Sequence, residues 1–405
     1  MTHLPVLVVE AQSIGAVAVI RSLGRAGYNV HACATSDDAL GLHSRFASRA
    51  VRSPDYDSTG YEDWLQSYVE QNDVACIVPS ENLLLRIRDR FDEFSPLLPL
   101  SADAATVYRG LSKHDVHQAF LGAGPGVAAH LPPTLLWSDG QPLPSASALD
   151  ALPGPLFIKA DGVHARRRGQ SGAVVRADDT RHALARLSEL KSAYTRLLVQ
   201  GFVPGRGVGA FFLIWNGEVR ARFMHQRLHE VPHTGGNSSL RASHFSEAIL
   251  DDALARLRAL DWVGVAMLEY RLDDASGTPW FIEMNGRFWG SLHLALYAGV
   301  DFPRILVECF TGRCPAGPPP SWEPGVRARL SVPLDVQHVV SKVRDPALPV
   351  HSKLAALLEF CLLSLDPRVH SDLLFPGDRR LHYIMMRQYG ARLLRYARGG
   401  GARGD

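Results

Sequence analysis

Two carboxylates and one amide have the types and spacing of a metal site. Glu283 and Asn285 lie two residues apart in FIEMNGRFWG, and Glu269 lies in the preceding run WVGVAMLEYRL. Both runs are predicted strands of one hairpin, and a turn near Ser276 sets Glu269 opposite Glu283. Asn285 then shares their face, because strand side chains alternate with a period of two. Like charges so placed in apolar strands need a cation between them, and an oxygen-only ligand set suits Mg²⁺ or Mn²⁺.

The same face points to a nucleotide. Mg²⁺ bound in this way commonly completes its shell with substrate phosphates. If the strand continues to residue 287, Arg287 lies on the same face, and it is a candidate for binding a phosphate oxygen. The alternative is that Glu269 and Glu283 are edge-strand residues that face solvent. A single acid would favour that alternative, whereas two acids and an amide on one face favour the cation.

A lysine and a basic, glycine-rich loop form the predicted phosphate-binding side. Lys159 interrupts the apolar strand LFIKAD, and a buried lysine is seldom tolerated unless it is paired. The next loop, DGVHARRRGQSGA, carries arginines at 166–168 and no acidic residue between Gly162 and Gly172. Glycines expose backbone N–H groups to anions, so we expect a mobile phosphate lid whose arginines repel one another until phosphates bind. The alternative is a solvated basic loop.

A third segment, EVRARFMHQR, ends an otherwise apolar strand face with His225 and Arg227. An arginine on the buried face near an acidic metal site is a candidate for binding a carboxylate or a transferring phosphoryl group. His225 alone is more simply interpreted as a core histidine. The glycine-rich loop PHTGGNSS, at 232–239, follows directly and could line the same cleft.

These residues must be positioned by an α/β unit followed by antiparallel sheets. Residues 5–34 alternate strand, helix and strand, which predicts a parallel unit that ends near residue 104. The first strand-to-helix turn has only Gly15 where a dinucleotide fingerprint has three glycines, so NAD or FAD binding is not expected there. After Gly205, two strands joined by Asn-Gly predict a hairpin in an antiparallel sheet.

The predicted organisation has five parts. They are an α/β domain over 1–104, a linker helix with a small lobe over 105–200, a large antiparallel lobe with the metal site over 201–315, a mostly helical extension over 316–394, and a disordered tail over 395–405. The apolar run Leu354–Leu365 is predicted to be a packed helix, and an interfacial or dimer-forming helix is the alternative. The sequence therefore leaves open whether the protein forms a homodimer.

Composition excludes several classes of partner. Forty-three Lys and Arg against 41 Asp and Glu give a formal net charge of +2, so no general attraction to nucleic acid or anionic membranes is expected. No apolar run reaches the roughly 18 residues of a membrane span. The five cysteines are odd in number and form no C-x-x-C pair, which predicts reduced thiols in a cytoplasmic protein.

On these residues the sequence resembles the ATP-grasp enzymes, of the carboxylate–amine ligase type related to carbamoyl-phosphate synthetase and biotin carboxylase. The resemblance spans about residues 5–312. It implies a combined α/β and α+β fold: a Rossmann-like pre-ATP-grasp domain, then a two-lobed ATP-grasp fold with antiparallel sheets that clamp ATP. The helical C-terminal extension lies outside the resemblance.

The resemblance also assigns site residues. Lys113 in LSKHDVHQAF matches the first ATP-binding lysine of the family, and Lys159 matches the second, which reaches the α- and β-phosphates. LLVQGFVPG matches the segment that holds adenine and ribose, although Gln200 stands where the family usually has Glu. With the lid residues, the expected ATP-binding set is Lys113, Lys159, Gly169, Ser171, Gly172, Gln200 and Val203. The expected Mg²⁺ ligands are Glu269, Glu283 and Asn285, and the expected catalytic residues are Arg287 and Arg227.

The implied reaction joins two small molecules. ATP phosphorylates a substrate carboxylate, and an amine attacks the acyl phosphate to give an amide, ADP and phosphate. One alternative is an ATP-grasp kinase that phosphorylates an alcohol. Another is a non-catalytic nucleotide-binding scaffold with the helical extension as its interaction surface. The intact charged set argues against the scaffold, because a site without function usually loses charges that have no partner.

Overall fold

The computed structural model of the protein describes residues 4–397, and their strands form three sheets. The first sheet contains β1 (Pro5–Val8), β2 (Asn29–Ala34), β3 (Arg49–Arg52) and β4 (Cys76–Val78). All four strands are parallel, in the order β3-β2-β1-β4, as the α/β pattern predicts. The helices of this part are α1 (Ile14–Arg25), α2 (Tyr61–Gln71), α3 (Glu81–Arg86), α4 (Phe91–Phe94) and α5 (Ala104–Gly110).

The second sheet forms the small lobe. It contains β5 (Thr134–Ser138), β6 (Leu156–Ala160), β7 (Ala173–Ala177) and β8 (Arg196–Gln200), all antiparallel, in the order β5-β8-β6-β7. The helices of this part are α6 (Lys113–Gly122), α7 (Pro125–Ala128), α8 (Ala146–Asp150) and α9 (Thr180–Leu190). Ile158 and Val199 of the sheet pack against Leu187 of α9 in a small apolar core.

The third sheet has seven strands and carries the metal face. Its strands are β9 (Arg206–Trp215), β10 (Glu218–Val231), β11 (Asn237–Ser243), β12 (Gly264–Leu272), β13 (Pro279–Asn285), β14 (Arg327–Arg329) and β15 (Val369–Ser371). Their order is β13-β12-β9-β10-β11-β14-β15. As predicted, Asn216 and Gly217 join β9 to β10, with the positive φ values of 53° and 76° that a two-residue hairpin turn requires.

Helices α10 (Glu247–Ala259), α11 (Leu292–Tyr297) and α12 (Phe302–Phe310) accompany the third sheet. Helix α1 packs against α11 and α12 as well as against β2. Its residues from Gly15 to Leu23 are all buried for that reason. The apolar core therefore runs continuously from the first sheet into the third.

The C-terminal extension contains α13 (Val336–Arg344), α14 (Val350–Leu365) and α15 (Arg380–Ala397), and it supplies β14 and β15 to the third sheet. Two buried ion pairs join it to the rest of the chain: Arg21 of α1 binds Asp378 at 3.0 Å, and Arg241 of β11 binds Asp372. The predicted disordered tail begins too early, because α15 continues to residue 397; residues 398–405 lie outside the described residues.

Two further expectations are wrong. Only Ala356 of α14 is fully buried, so this helix is not packed on all sides but presents leucines to solvent. The cysteines are not all reduced thiols: Cys309 and Cys314 form a disulfide, because the chain reverses at Gly312, which has a φ of 74°. The remaining cysteines are free, Cys361 exposed and the other two buried. Among the described residues, no helix is long and apolar enough to cross a membrane.

Candidate active site

Glu269, Glu283 and Asn285 meet on one face of the β12–β13 hairpin. Glu269 pairs directly with Glu283 across the two strands, in the register that the sequence predicts. The amide nitrogen Nδ2 of Asn285 lies 3.5 Å from an oxygen of each carboxylate. The hairpin therefore holds two carboxylates and one amide group side by side.

Three basic side chains surround these carboxylates. The Nζ atoms of Lys113 and Lys159 each lie 3.9 Å from Oε2 of Glu283. Arg227 donates a hydrogen bond to Oε2 of Glu269. Burial opposes ionisation of Glu283, but the two lysines outweigh it and hold the pKa of its carboxyl below the usual value. Burial lowers the pKa of Lys159, because its ammonium is removed from water.

Asp161 is a further acid of the cluster, and the sequence analysis did not single it out. Its Oδ1 lies 3.1 Å from Nζ of Lys113, and its Oδ2 accepts the backbone N–H of Lys113 at 2.7 Å. Burial opposes the charge on Lys113, yet Glu283 and Asp161 raise the pKa of its ammonium above the usual value. Its position in the sequence could have identified it, because Asp161 directly follows the strand that carries Lys159.

The residues present fit a magnesium ion that is shared with a phosphate. Among the described residues, no cluster of three or more His, Cys, Asp or Glu side chains has metal-binding geometry. Glu269, Glu283 and Asn285 supply oxygen ligands only, and too few to enclose an ion. Mg²⁺ is commonly bound by one or two carboxylates and completed by substrate phosphates and water.

Two of the expected ATP-binding residues, Lys159 and Gln200, share one face of the small-lobe sheet. Phe157 and Lys159 lie on the same side of β6, and Gln200 of β8 pairs directly with Phe157, so its side chain projects to the same side. Lys159 donates to the backbone oxygen of Ile282 at 3.4 Å, which brings this face against β13. Gln200 is buried, and so is Val203, which follows β8.

The basic loop is tied to its surroundings. Arg168 lies 2.6 Å from Glu62 of α2, and Arg166 lies 2.8 Å from Asp139. The expectation that the loop arginines repel one another until phosphates bind is therefore wrong for Arg166 and Arg168, because acids distant in sequence pair with them. Gly169 has a φ of 78°, a conformation in which a side chain would be strained, and it lies against the carboxylate of Asp57. The loop is anchored to the N-terminal domain in this conformation.

Two cavities meet beside the metal face. The N-terminal cavity, of about 400 Å³, lies past the carboxyl ends of β1 and β4, and Ser171 and Gly172 form part of its wall. The metal-face cavity, of about 350 Å³, contains the three expected metal ligands, Arg227 and Trp289. Ile14, Arg287 and Gly290 line both cavities.

Glu10 and Glu81 of the N-terminal cavity were not predicted. Glu10 has a positive φ of 53°, uncommon outside glycine, and accepts a hydrogen bond from Asn82 at 2.6 Å. Burial raises the pKa of Glu81, although Lys113 and Arg287 oppose that shift. Glu10 comes two residues after β1 and Glu81 three residues after β4, and ligands of open α/β sheets bind at the carboxyl ends of strands. That rule was the signal that could have identified them.

Arg287 and Arg227 occupy different parts of the site. Nε of Arg287 lies 3.8 Å from Glu81, and Nη2 lies 3.4 Å from Oδ1 of Asn285, so this side chain stands between the two cavities. Arg227 lines the metal-face cavity and also donates to the backbone oxygen of Gly236, in the loop at 232–239, at 2.9 Å. That loop therefore borders the cleft.

His225 has the environment of a core histidine. It is 1% exposed and packs edge-to-face against Phe211. Burial, with help from Arg227 and Arg241, lowers the pKa of His225 well below the usual value. The ring is therefore neutral at physiological pH.

Comparisons with known proteins identify the fold. No protein-family model and no curated protein sequence matches the chain. Among solved structures, L-amino acid ligase from Bacillus licheniformis matches with a TM-score of 0.57 and 16% identity over 77% of this chain and 76% of that one. The biotin carboxylase domain dimer of the Hydrogenobacter thermophilus 2-oxoglutarate carboxylase, in complex with MgADP, ADP and bicarbonate, matches with a TM-score of 0.60 and 12% identity over 81% of this chain and 74% of that one.

A third match is a much larger protein. Pyruvate carboxylase from Rhizobium etli has a TM-score of 0.58 and 18% identity over 77% of this chain, which spans only 30% of the length of that enzyme. At these identities the likeness concerns the fold alone. The chain has the ATP-grasp fold, as the resemblance of its sequence implied.

Proposed function

We propose that this ATP-grasp chain is a ligase that joins a carboxylate to an amine through an acyl phosphate and releases ADP and phosphate. The observation that carries the proposal is the meeting of two separate cavities at Arg287, beside the metal face. A ligase needs one site for the acid that is phosphorylated and another for the amine that attacks it. A kinase needs only one such site.

ATP is proposed to bind between the small lobe and the β12–β13 hairpin. Lys159 and Gln200 face this space from the small lobe, and Glu283 faces it from the hairpin. The ammonium of Lys159 would then exchange part of its contact with Glu283 for phosphate oxygens. Mg²⁺, when held by Glu269, Glu283 and Asn285, would supply positive charge to the phosphate oxygens.

In the first step, an oxygen of the substrate carboxylate attacks the γ-phosphorus of ATP. A carboxylate–phosphorus bond forms, and the bond from the γ-phosphorus to the β,γ-bridging oxygen breaks, so ADP leaves. The carboxylate is proposed to occupy the metal-face cavity, where Arg227 and Arg287 are the nearest arginines to the metal ligands. Their charges stabilise the transferring phosphoryl group, so catalysis is positioning and electrostatics.

In the second step, the amine attacks the acyl carbon and phosphate leaves. The amine is proposed to enter from the N-terminal cavity, whose acids Glu10 and Glu81 suit an ammonium group. An ammonium must lose a proton before it can attack. Glu81 is the proposed acceptor of that proton, because its burial raises the pKa of its carboxyl and its position beside Arg287 faces the acyl phosphate.

The comparisons support this assignment at the level of the fold. One match is named an amino acid ligase, and another was solved with MgADP bound. Both names are consistent with an ATP- and magnesium-dependent ligase. The proposed compartment is the cytoplasm, and the proposed substrates are small molecules.

The test is to screen pairs of organic acids and amines for ADP release, first with each compound alone and then with both. The proposal expects a carboxylate whose turnover depends on an amine, and it expects hydroxylamine to replace that amine and yield a hydroxamate. ADP release on an alcohol, with a stable phosphate ester and no hydroxamate, would instead identify a kinase. Nucleotide binding without turnover on any pair would identify the scaffold alternative.

A further inference from the structure

Helix α14 presents a continuous apolar stripe to solvent. Its inner face packs on the protein through Ala356, which is buried, and Phe360, whose ring lies 4.7 Å from the guanidinium of Arg329. The outer face carries six large apolar side chains that are 47% to 80% exposed, which we call the α14 stripe: Val350, Leu354, Leu357, Leu358, Leu362 and Leu365. The exposed thiol of Cys361 lies among them.

The spacing of the stripe is that of a helix–helix contact. Its members recur three or four residues apart along the whole helix, which runs from residue 350 to residue 365. This is the spacing with which side chains of one helix insert between those of another. A stripe of this kind is normally covered in a folded protein.

Charge selects the partner. At about 100 Å² of apolar surface per fully exposed leucine, the six side chains present roughly 400 Å², about half of what each partner buries in a standard interface, so the stripe is the apolar centre of an interface and the residues around it supply the rim. The stripe contains no charged residue, and the only Lys, Arg, Asp or Glu residues of α14 are Lys353 and Glu359. A helix that binds membrane surfaces carries a Lys- and Arg-rich face.

We propose that the α14 stripe is the self-complementary interface of a homodimer, in which two copies of α14 pack antiparallel across a two-fold axis. A two-fold axis brings the same surface of both copies together, so the uncharged stripe of one copy packs against the identical stripe of the other. Antiparallel packing also sets each helix dipole against the opposite end of its partner. The axis then passes midway along α14, between Leu357 and Leu358. Val350 of one copy meets Leu365 of the other.

The first test measures the mass of the protein in solution by light scattering. We expect the mass of two chains for the native protein. Leu358→Glu should raise the dimer dissociation constant at least about a hundredfold, because it buries two facing charges near the axis. Leu121→Glu is the matched control: Leu121 lies on α6, is 54% exposed, and its substitution should leave the dimer intact. A native monomer, or a dimer that Leu358→Glu does not weaken, would overturn the proposal.

The second test fixes the arrangement by oxidative cross-linking in a Cys361→Ser background. Given a rise of 1.5 Å per residue, two copies of position 358 are offset by about 1.5 Å along the helices, whereas two copies of position 365 are offset by about 22 Å. Leu358→Cys should therefore form a cross-linked dimer and Leu365→Cys should not, because a disulfide needs Cα atoms within about 7 Å. Cross-linking at both positions would overturn the antiparallel arrangement. A monomer that sediments with anionic phospholipid vesicles would assign the stripe to membranes instead and also overturn the proposal.

Discussion

Replacing Glu283 with glutamine should abolish turnover and also weaken the fold, by two separable effects. The change keeps the shape of the side chain and removes its charge. We expect ADP release to fall at least about a hundredfold, the scale for losing one electrostatic stabiliser of the reaction. The stability effect arises because Lys159, 6% exposed, would lose the carboxylate that lies 3.9 Å from its ammonium.

The magnitude follows from that distance. Two unit charges about 4 Å apart interact by about 4 kcal/mol at an effective dielectric constant near 20. The side chain of Glu283 is 21% exposed, Glu269 directly opposite repels its charge, and Lys113 keeps Asp161 as a partner, so the full value does not apply. We therefore expect Glu283→Gln to lower the free energy of unfolding by about 2 kcal/mol.

A double-mutant cycle separates stability from activity. Lys159→Met removes the ammonium that Glu283→Gln leaves unpaired, so the double variant should be more stable than the sum of the single changes by about 1–2 kcal/mol. Its ADP release should stay as low as that of Glu283→Gln, because the metal ligand is still missing. Urea unfolding without nucleotide gives the stabilities. Glu247→Gln, at an exposed position of α10, is the matched control and should change stability by less than about 0.5 kcal/mol.

Two results would refute this reasoning. Additive stabilities within about 0.5 kcal/mol would mean that Glu283 and Lys159 do not interact across the cleft. ADP release by Glu283→Gln near that of the native protein would remove the metal assignment, whatever the stability cycle shows.

Three other outcomes test neighbouring parts of the structure. Lys159→Met alone should raise the ATP concentration needed for half-maximal turnover far more than it changes the melting temperature; unchanged ATP affinity in calorimetry would place Lys159 outside the nucleotide site. Trypsin should cut the loop at 166–168, and ATP with Mg²⁺ should slow this cleavage. Glu62→Gln should accelerate the cleavage, because it removes the carboxylate that pairs with Arg168. Equal cleavage rates with and without nucleotide would mean that the loop is a solvated basic loop. Burial, together with nearby positive charge from Lys159 and Arg256, lowers the pKa of His117 to about 4, so the unfolded chain binds a proton that the folded chain excludes. The free energy of unfolding should therefore keep its full value above pH 6.5 and be lower by about 2 kcal/mol at pH 5. In His117→Gln, urea unfolding at the two pH values should no longer show this difference.

The parts of the fold that the sequence predicted rest on local patterns. The Asn-Gly turn and the alternating strands around it specify the β9–β10 hairpin within a few residues. The same period of two placed Glu269 opposite Glu283, because one assumed turn position fixes every pairing in the hairpin. Lys159 was found since a charge inside an apolar strand is unusual wherever the strand lies.

The parts that were missed depend on segments distant in the chain. Glu62 binds Arg168 across 106 residues, and no pattern near either residue indicates the other. Glu81 and Arg287 likewise meet only after the first and third sheets pack together. The prediction that α14 is packed was wrong for a related reason. A run of leucines predicts an apolar contact but does not say whether the partner belongs to the same chain.

The short strands β14 and β15 determine how the molecule can be divided. β14 pairs with β11 on one side and with β15 on the other, and the buried Asp372 that follows β15 neutralises Arg241 of β11. A chain truncated near residue 315 would expose the backbone edge of β11 and leave a buried guanidinium without its carboxylate. Unpaired edges of this kind recruit strands from other molecules. We therefore expect the two lobes and the extension to fold as one unit, and removal of the extension to give aggregation rather than a smaller folded protein.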